Sequence, residues 1–369
     1  MKTPAGIYIH VPFCKKKCAY CDFYSLSSPA LTDDYCEAVE RDILSFDFGQ
    51  SAADTVYFGG GTPSILGAER LIGILKAAMA AGEIAEDAEV TCEVNPATIG
   101  FDGLSRLRRG GFNRLSIGIQ SADDDELRLL GRIHDFEQAK TCVLDAKAAG
   151  FENISCDLIY GLPGQLIEGF LCSCASIAAL GVQHISFYCL KLEEGTPMAG
   201  QYSLDDLPGE DALFEMYDLA AGFFEGLGFE QYEISNFALP GYPSRHNLKY
   251  WTGADYAGFG PGSSSFWKGS RYSIAPDLAD YLSQGPKKTE IEAIGPEEAL
   301  REYIMLRLRL CAGIAPADFE TCFGRPFAPF AAVLDSLAGL AVFQNGRYRL
   351  TRRGFFVSNA IISRLIDII

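Results

Sequence analysis

Three cysteines stand within eight residues near the start of the chain, in Cys14-Lys15-Lys16-Lys17-Cys18-Ala19-Tyr20-Cys21, separated by three and then two residues. A loop of that pitch can wrap one compact iron–sulfur cube, with each thiolate on a different iron. Four irons and three thiolates leave one iron without a protein ligand, and an open position marks a reactive metal site rather than a structural one. Two other readings stay open here: three reduced thiols in a loop, or a zinc site that borrows a fourth ligand. Zinc sites commonly take their ligands as two pairs, and no second pair of such spacing occurs in the chain. The remaining cysteines read as filler. Cys36, Cys92, Cys142, Cys156, Cys189, Cys311 and Cys322 lie in apolar surroundings as small core residues. Cys172 and Cys174 are about 200° apart on a helix and cannot face one metal. His134 and His184 read as satisfied structural groups.

Further polar residues follow short β-branched or aromatic runs. Gly59-Gly60-Gly61-Thr62-Pro63 follows Thr55–Phe58, and three glycines would let backbone amides approach a ligand. Glu93, inside Glu89–Val94, is flanked by apolar strand residues and needs a partner. Gln120 follows Arg114–Ile119, Arg132 lies in Leu130-Gly131-Arg132-Ile133-His134, and Asp157 sits in Asn153–Ile159. Taken singly, each is as well explained by a structural hydrogen bond.

The elements that must position these residues form a regular series. Strands are predicted at Gly6–Val11, Thr55–Phe58, Glu89–Val94, Arg114–Ile119, Asn153–Ile159 and His184–Leu190. Helical patterns lie between them at Leu31–Leu44, Ala68–Ala81, Asp102–Arg109, Asp124–Gly131, Phe136–Ala149 and Leu166–Leu180. Six βα units in a row require a parallel sheet, doubly wound or curled into an open barrel. In either form ligands gather at the carboxyl edge, where the polar residues above converge. Beyond Leu190 the pattern changes. Asp211–Leu227 reads as a helix, and Tyr232 to Gly269, dense in glycine, proline and aromatics, reads as irregular structure. From Pro296 helices are expected at Glu297–Leu310, Pro316–Phe323 and Phe327–Ala338, then a hairpin, Ala341–Gln344 and Arg347–Leu350, around Asn345-Gly346, and a last helix. That order resembles a winged helix. Three units are expected: 1–195, 196–295 and 296–369.

The 369 residues are 48% hydrophobic and 21% charged, as in ordinary globular chains. A net charge of -17 opposes bulk binding to nucleic acid or anionic lipid. The last unit holds nine arginines against seven acids, +2, which leaves -19 on the rest. Met1–Val11 has no signal-peptide core before Pro12, so the reading is cytoplasmic with reduced thiols. Gly169 to Leu190 lacks Asp, Glu, Lys and Arg, but it changes period and reads as a buried helix and strand rather than a membrane span. Peripheral membrane contact stays open.

Tyr8 through Cys14, the cysteine loop and Cys21-Asp22-Phe23 resemble the radical S-adenosylmethionine (SAM) superfamily, and within it the oxygen-independent coproporphyrinogen III oxidase family. The resemblance runs over nearly the whole chain. It implies an α/β fold, an open (partial) TIM-type (β/α)6 barrel with a small C-terminal winged-helix-like α+β domain. It implies a [4Fe-4S] cluster on Cys14, Cys18 and Cys21, with SAM chelating the open iron; one electron then splits the sulfonium into methionine and a 5′-deoxyadenosyl radical. Tyr8, Tyr20, Gly60, Gly61, Thr62, Glu93, Gln120, Arg132 and Asp157 would border the SAM, and His10 would tune the cluster or donate a proton.

Two departures point within that family. The oxidases resemble Cys-x3-Cys-x2-Cys-x-Cys, and the fourth position here is Phe23. They also carry an extension before the first strand, whereas only seven residues precede Tyr8. Arg245-His246-Asn247-Leu248-Lys249-Tyr250-Trp251 is instead similar to the haem-binding signature of the HemW-type branch, the haem chaperones. His246 would offer its imidazole to haem iron, and Tyr250 and Trp251 would supply aromatic surface for a flat macrocycle. A histidine hydrogen-bonded in an irregular loop is the alternative. Many relatives carry Ala-His where Ser263-Ser264 stand. The expected function is haem binding and delivery to apo-haemoproteins. The alternatives are the oxidase itself and an iron–sulfur regulator that reads DNA through the winged helix. Charge argues against the last, so no nucleic-acid partner is expected. Lys15, Lys16 and Lys17, basic in an acidic protein, form either a solvated loop or a docking patch for an acidic low-potential electron donor such as a flavodoxin.

Overall fold

The computed structural model describes residues 4–27 and 29–369; of the Met1–Val11 segment, Met1–Thr3 lie outside the described residues. The βα series runs β1 (Pro4–Val11), α1 (Thr32–Ser45), β2 (Ala52–Gly60), α2 (Ala68–Ala81), β3 (Glu83–Val94), α3 (Phe101–Arg109) and β4 (Arg114–Gln120). It continues through α4 (Asp124–Leu129), α5 (Phe136–Ala148), β5 (Ile154–Tyr160), α6 (Ile167–Ala178) and β6 (His184–Cys189). Each neighbouring pair from β1 to β6 is parallel, and spatial order equals sequence order. A doubly wound sheet reverses its order at a switch point, and here there is none. Right-handed crossovers in one direction put every helix on the same face, so the sheet curls away from them into an open barrel.

Strand alternation separates two environments. Ile7, Ile9 and Val11, then Val56 and Phe58, Val90 and Cys92, Leu115 and Ile117, and Cys156 and Leu158 enter the apolar core. The intervening positions are polar and face the barrel interior: Tyr8, Tyr57, Glu93, Ser116, Asp157 and Ser186. The charge-free stretch from Gly169 is the rest of α6 followed by β6. No helix among the described residues is long and apolar enough to cross a membrane.

After the series come α7 (Pro197–Gln201), α8 (Glu210–Gly226), β7 (Glu230–Gln231), β8 (Asn236–Ala238), α9 (Arg245–Thr252), β9 (Tyr256–Phe259), β10 (Ser264–Trp267), β11 (Ser270–Ile274), α10 (Leu278–Gln284) and β12 (Lys288–Ala293). The irregular segment expected at 232–269 is therefore ordered. β8 joins β6 antiparallel and β9 joins β1 parallel, so this region extends both edges of the sheet. Strands of two to five residues carry too little pattern to be read locally and depend on the edge they dock to. The last elements are α11 (Pro296–Arg307), α12 (Pro316–Phe323), α13 (Ala328–Asp335), β13 (Ala341–Gln344), β14 (Arg347–Leu350), α14 (Arg352–Phe356) and α15 (Ser358–Ile366). Asn345 and Gly346 both take positive φ, as a two-residue hairpin of strands with right-handed twist requires.

Candidate functional site

The strands' carboxyl ends and the cysteine loop enclose a cavity of about 650 Å³. The loop leaves β1 at Pro12 and is closed at its base by Cys14 N–H to Leu26 O (3.0 Å) and Leu26 N–H to Pro12 O (2.8 Å). Its far side is tied by Ala19 N–H to Leu130 O (3.0 Å) and Met198 N–H to Ala19 O (2.9 Å). Cys14, Cys18 and Cys21 are free, part-exposed thiols on the cavity wall. Cys14 Sγ lies 3.5 Å from Thr62 Oγ1. Arg132 donates from Nη1 to Cys18 Sγ (3.4 Å) and from Nη2 to Asn95 Oδ1 (2.8 Å) and Gly118 O (2.5 Å), and its Nε is buried without a partner. Among the described residues no three His, Cys, Asp or Glu side chains are close enough to share one metal ion; the three thiols line one cavity beside a fixed guanidinium, which suits a multi-iron cluster with each thiolate on a different iron rather than a single ion. Tyr20 sits against the same guanidinium.

Gly60 and Gly61 form a narrow turn on the cavity wall. A Cβ on Gly60, at φ +106°, would come within 2.7 Å of the His10 ring, and one on Gly61 within 2.6 Å of Phe13 O. The amides of Gly61 and Thr62 donate to Val11 O (2.9 Å) and Phe13 O (2.7 Å). The turn is narrow so that it can pair with the start of the cysteine loop, and these two amides are not free for a ligand. Gln120, on the cavity wall, holds φ at +77° beside a register shift between β4 and β5.

Below the mouth, Glu93 accepts from Tyr57 Oη–H (2.9 Å), the partner the sequence required. Burial, opposed by that bond and reinforced by Asp157, pushes its carboxyl up to about 7. Asp157 is raised too, chiefly by burial, and accepts from Ser116 (3.4 Å). Both carboxyls line the same cavity as Tyr8. His10 lies 3.2 Å from Tyr8 Oη through Nδ1 and donates from Nε2 to Tyr24 O (2.9 Å), so its ring is fully engaged.

The His246 segment is helical, and His246 and Tyr250 share a face, bonded through Nε2 and Oη (2.8 Å). The helix closes the barrel at the opposite end from the cysteines. Its N-terminal amides, Arg245 and His246 N–H, donate to Glu89 (3.0 Å each), Lys249 pairs with Asp54 (2.5 Å), and His246 Nδ1 meets Thr55 Oγ1 (2.8 Å). His246 is fully buried and stacks on Tyr57 (5.0 Å, 25°). Burial, with Lys249 and Arg114 nearby, lowers its pKa to about 3. Trp251 turns the other way, beneath Arg309 (5.9 Å), so Tyr250 and Trp251 do not form one aromatic platform.

The other histidines and cysteines divide. His184 is satisfied by Ser155 (2.7 Å) and Tyr232 (2.8 Å). His134 Nε2 reaches Ile119 O (3.2 Å), but its Nδ1 is buried without a partner, against the expectation of a satisfied group. Cys322 is exposed rather than core, because only Phe319 of its helix is buried. Cys172 and Cys174 point apart, one exposed and one buried. Tyr57, Asn95, Arg114, Ser116 and Tyr188 also line the cavity and went unremarked in the sequence. Their signal is a period of two, as in Arg114-x-Ser116-x-Gly118-x-Gln120.

The Radical SAM superfamily model matches residues 8–171, and the HemN C-terminal domain model matches residues 294–357. Heme chaperone HemW of Lactococcus lactis subsp. lactis (strain IL1403) is 32% identical over 99% of this chain and 98% of its own length. Heme chaperone HemW of Bacillus subtilis (strain 168) is 33% identical over 97% and 98%. The solved structure of coproporphyrinogen III oxidase (HemN) from Escherichia coli superposes with a TM-score of 0.86 at 24% identity, covering 100% of this chain and 91% of that one, a likeness of fold.

Proposed function

Because the chain belongs to the radical SAM superfamily, and within it to the family of the heme chaperone HemW proteins, we propose that it binds haem and delivers it to apo-haemoproteins. The observation that carries this reading is the end-to-end identity with HemW proteins, which takes in barrel and C-terminal unit alike. Superfamily membership brings a [4Fe-4S] cluster and SAM. In this reading Cys14, Cys18 and Cys21 hold the cluster, and Tyr8, Tyr20, Gly60, Gly61, Thr62, Glu93, Gln120, Arg132 and Asp157 form the wall around SAM. Bound together, cluster and SAM supply one-electron chemistry at the sulfonium.

The chain's own groups prepare that wall. Arg132 ties the cysteine loop to Asn95 and to the end of β4, which keeps Cys18 in place. Tyr57 and Ser116 hold the two buried carboxyls on the cavity side. Burial makes the Glu93 carboxyl easier to protonate than a free one while it accepts from Tyr57. His10 joins β1 to Tyr24 on the returning loop, a positioning role at the mouth.

His246 can ligate haem iron only after leaving Thr55 or Tyr250, since both ring nitrogens are engaged and the side chain is buried. Haem titration of His246→Ala decides: lost binding supports ligation after the floor opens, and unchanged binding assigns His246 to the floor alone. Exposed Lys16 and Lys17, with Lys15 anchored to Ala97 O (2.9 Å), support docking of an acidic electron donor beside the cluster. The chain divides, in this reading, into a barrel (1–195), an extension carrying α9 (196–295) and a C-terminal unit (296–369).

One anaerobic preparation tests the proposal. After reconstitution the protein is expected to show the broad visible absorbance of an iron–sulfur cluster and to bind haem. Incubation with coproporphyrinogen III, SAM and reductant is expected to leave the porphyrinogen unchanged. Formation of protoporphyrinogen would overturn the chaperone reading.

A further inference from the structure

Helix α4 has six residues, too few to hold its place by its own hydrogen bonds, and of its side chains only Leu127 is buried. Its C-terminal end nevertheless carries two of the holds on the cysteine loop. Leu130 O accepts the Ala19 amide (3.0 Å). Arg132, whose own amide closes on Leu127 O (2.9 Å), donates to Cys18 Sγ (3.4 Å). Gly131 between them takes φ +73°, and a Cβ there would come within 3.2 Å of the Ala19 nitrogen. The loop therefore lies directly on this turn, and a shift of α4 would move Cys18 with it.

The other inward group of α4 is Glu126, which is half-buried. Its Oε2 accepts from Ser121 Oγ–H (2.5 Å), just past β4, and its Oε1 accepts from Gln165 Nε2–H (2.9 Å). Gln165 is buried, and its Oε1 accepts from the amides of Gly161 (2.7 Å) and Leu162 (3.3 Å), just past β5. One run of hydrogen bonds thus joins the end of β4, α4 and the turn after β5. What it joins is the support of the cysteine loop. Leu130, Ile159, Leu162, Leu190 and Met198 form a small apolar cluster apart from the main core, and Ala19 and Tyr20 pack against it. Leu130 comes with α4, and Leu162 comes with the turn that Gln165 holds. Neither Glu126 nor Gln165 lines the barrel cavity.

We propose that Glu126 and Gln165 are positioning residues for the cysteine loop. Their hydrogen bond fixes α4 against the turn after β5, and through Leu130 and Arg132 it fixes where Cys18 stands. Apolar contact between Leu130 and Leu162 is non-directional and would let so short a helix slide. An amide donating to a buried carboxylate is directional and stronger than a neutral bond, so it sets one arrangement. The proposal rests on the reading that Cys14, Cys18 and Cys21 hold the cluster.

The test is the rate at which a chelator strips the reconstituted cluster from the full-length protein, followed anaerobically by visible absorbance. The urea midpoint of each metal-free chain is measured beside it. Gln165→Glu sets a second carboxylate against Glu126 and is expected to speed cluster loss about tenfold. Adding Glu126→Gln exchanges donor and acceptor between the two positions while the Ser121, Gly161 and Leu162 bonds persist. The double variant is expected to return to within about twofold of the wild-type rate. Gln165→Met removes the bonds without adding charge and is expected to speed loss about threefold, which covers a Gln165→Glu chain that does not fold. Leu75→Ala, in the main core on α2, is expected to lower the urea midpoint and leave cluster loss unchanged. Wild-type rates in both single variants at Gln165 overturn the proposal, as does a double variant as fast as Gln165→Glu. Equal acceleration in Leu75→Ala also overturns it, since the effect would then be general destabilisation. A wild type that takes up no cluster removes the cluster reading as well, whereas these outcomes remove the positioning pair alone.

Discussion

At the mouth of the barrel, Cys14, Cys18 and Cys21 sit part-exposed on a loop held by a few backbone bonds and one guanidinium. At the floor, the polar groups of α9 are buried and nearly all paired: His246 twice through its ring, Glu89 twice through its carboxylate, and Lys249 with Asp54. The same six strands build both ends. The mouth leaves its reactive atoms open and contributes little to folding, whereas the floor exchanges accessibility for rigidity. Both sequence motifs, the cysteine loop and the His246 segment, look equally like ligand sites until their burial is known. Arg114 is the exception on the floor: it lies among the Glu89 and Asp157 carboxylates, but its Nε and Nη1 are buried without a hydrogen bond.

That contrast can be broken by mutation, and the largest effect belongs to the mouth. Replacing Cys14, Cys18 or Cys21 by serine is expected to abolish cluster absorbance while leaving the urea midpoint nearly unchanged. A fully retained cluster would overturn the ligand assignment. On the floor the pattern reverses. His246→Ala is expected to cost about 3 kcal/mol in urea unfolding, because it opens a cavity and strands Thr55 and Tyr250, and to leave cluster absorbance in place. A loss below about 0.5 kcal/mol would mean that the floor is not the rigid end.

The next effect is on pH dependence. Glu93 holds its proton to about pH 7 in the folded chain and to about 4.5 when unfolded. The folded state therefore binds the extra proton, and its contribution is complete below 4.5 and is lost as pH rises through about 7. The integrated loss is about 3 kcal/mol. Glu93→Gln is expected to flatten this limb of the stability profile; an unchanged slope between pH 4.5 and 7 would refute the assignment. His246 acts with the opposite sign. It stays neutral to about 3 when folded, so its neutral form favours folding above 6.5, and that advantage is lost as pH falls from 6.5 toward 3. The smallest effect is at the surface. Reversing Lys15, Lys16 and Lys17 to glutamate is expected to slow cluster reduction by an acidic donor about tenfold at low salt, and less at high salt. Unchanged kinetics would remove the docking patch.

Much of the architecture is legible from local pattern. The αβ alternation locates the six strands and their helices to within three residues, except that β3 begins at Glu83 rather than the predicted Glu89, and α2 spans the predicted Ala68–Ala81. The hairpin at Asn345-Gly346 follows from turn chemistry alone. The region from 232 to 269 resists, because its short strands exist only where β1 and β6 present edges to pair with. The candidate site divides in the same way. Residues at strand ends are visible because glycine and polar residues interrupt apolar runs. Arg114, the first residue of β4, and Tyr57, inside β2, belong to strands whose alternation passes for ordinary β pattern.

What the sequence by itself determined is chemical and local: three thiols spaced for one cluster, a histidine followed four residues on by a tyrosine, and strands in serial order. Tertiary structure decided which of these groups stay accessible. The sheet curls one way because its crossovers share one hand, and that curl encloses the polar face of every strand. It leaves the thiols at the open end and puts α9 across the closed one. Burial then turns a motif that reads as a ligand platform into a bonded floor, and it sets Arg114 among Glu89, Glu93 and Asp157 with two of its guanidinium nitrogens left without a hydrogen bond. Neither outcome can be read along the chain, because each depends on residues far apart in sequence meeting across the barrel.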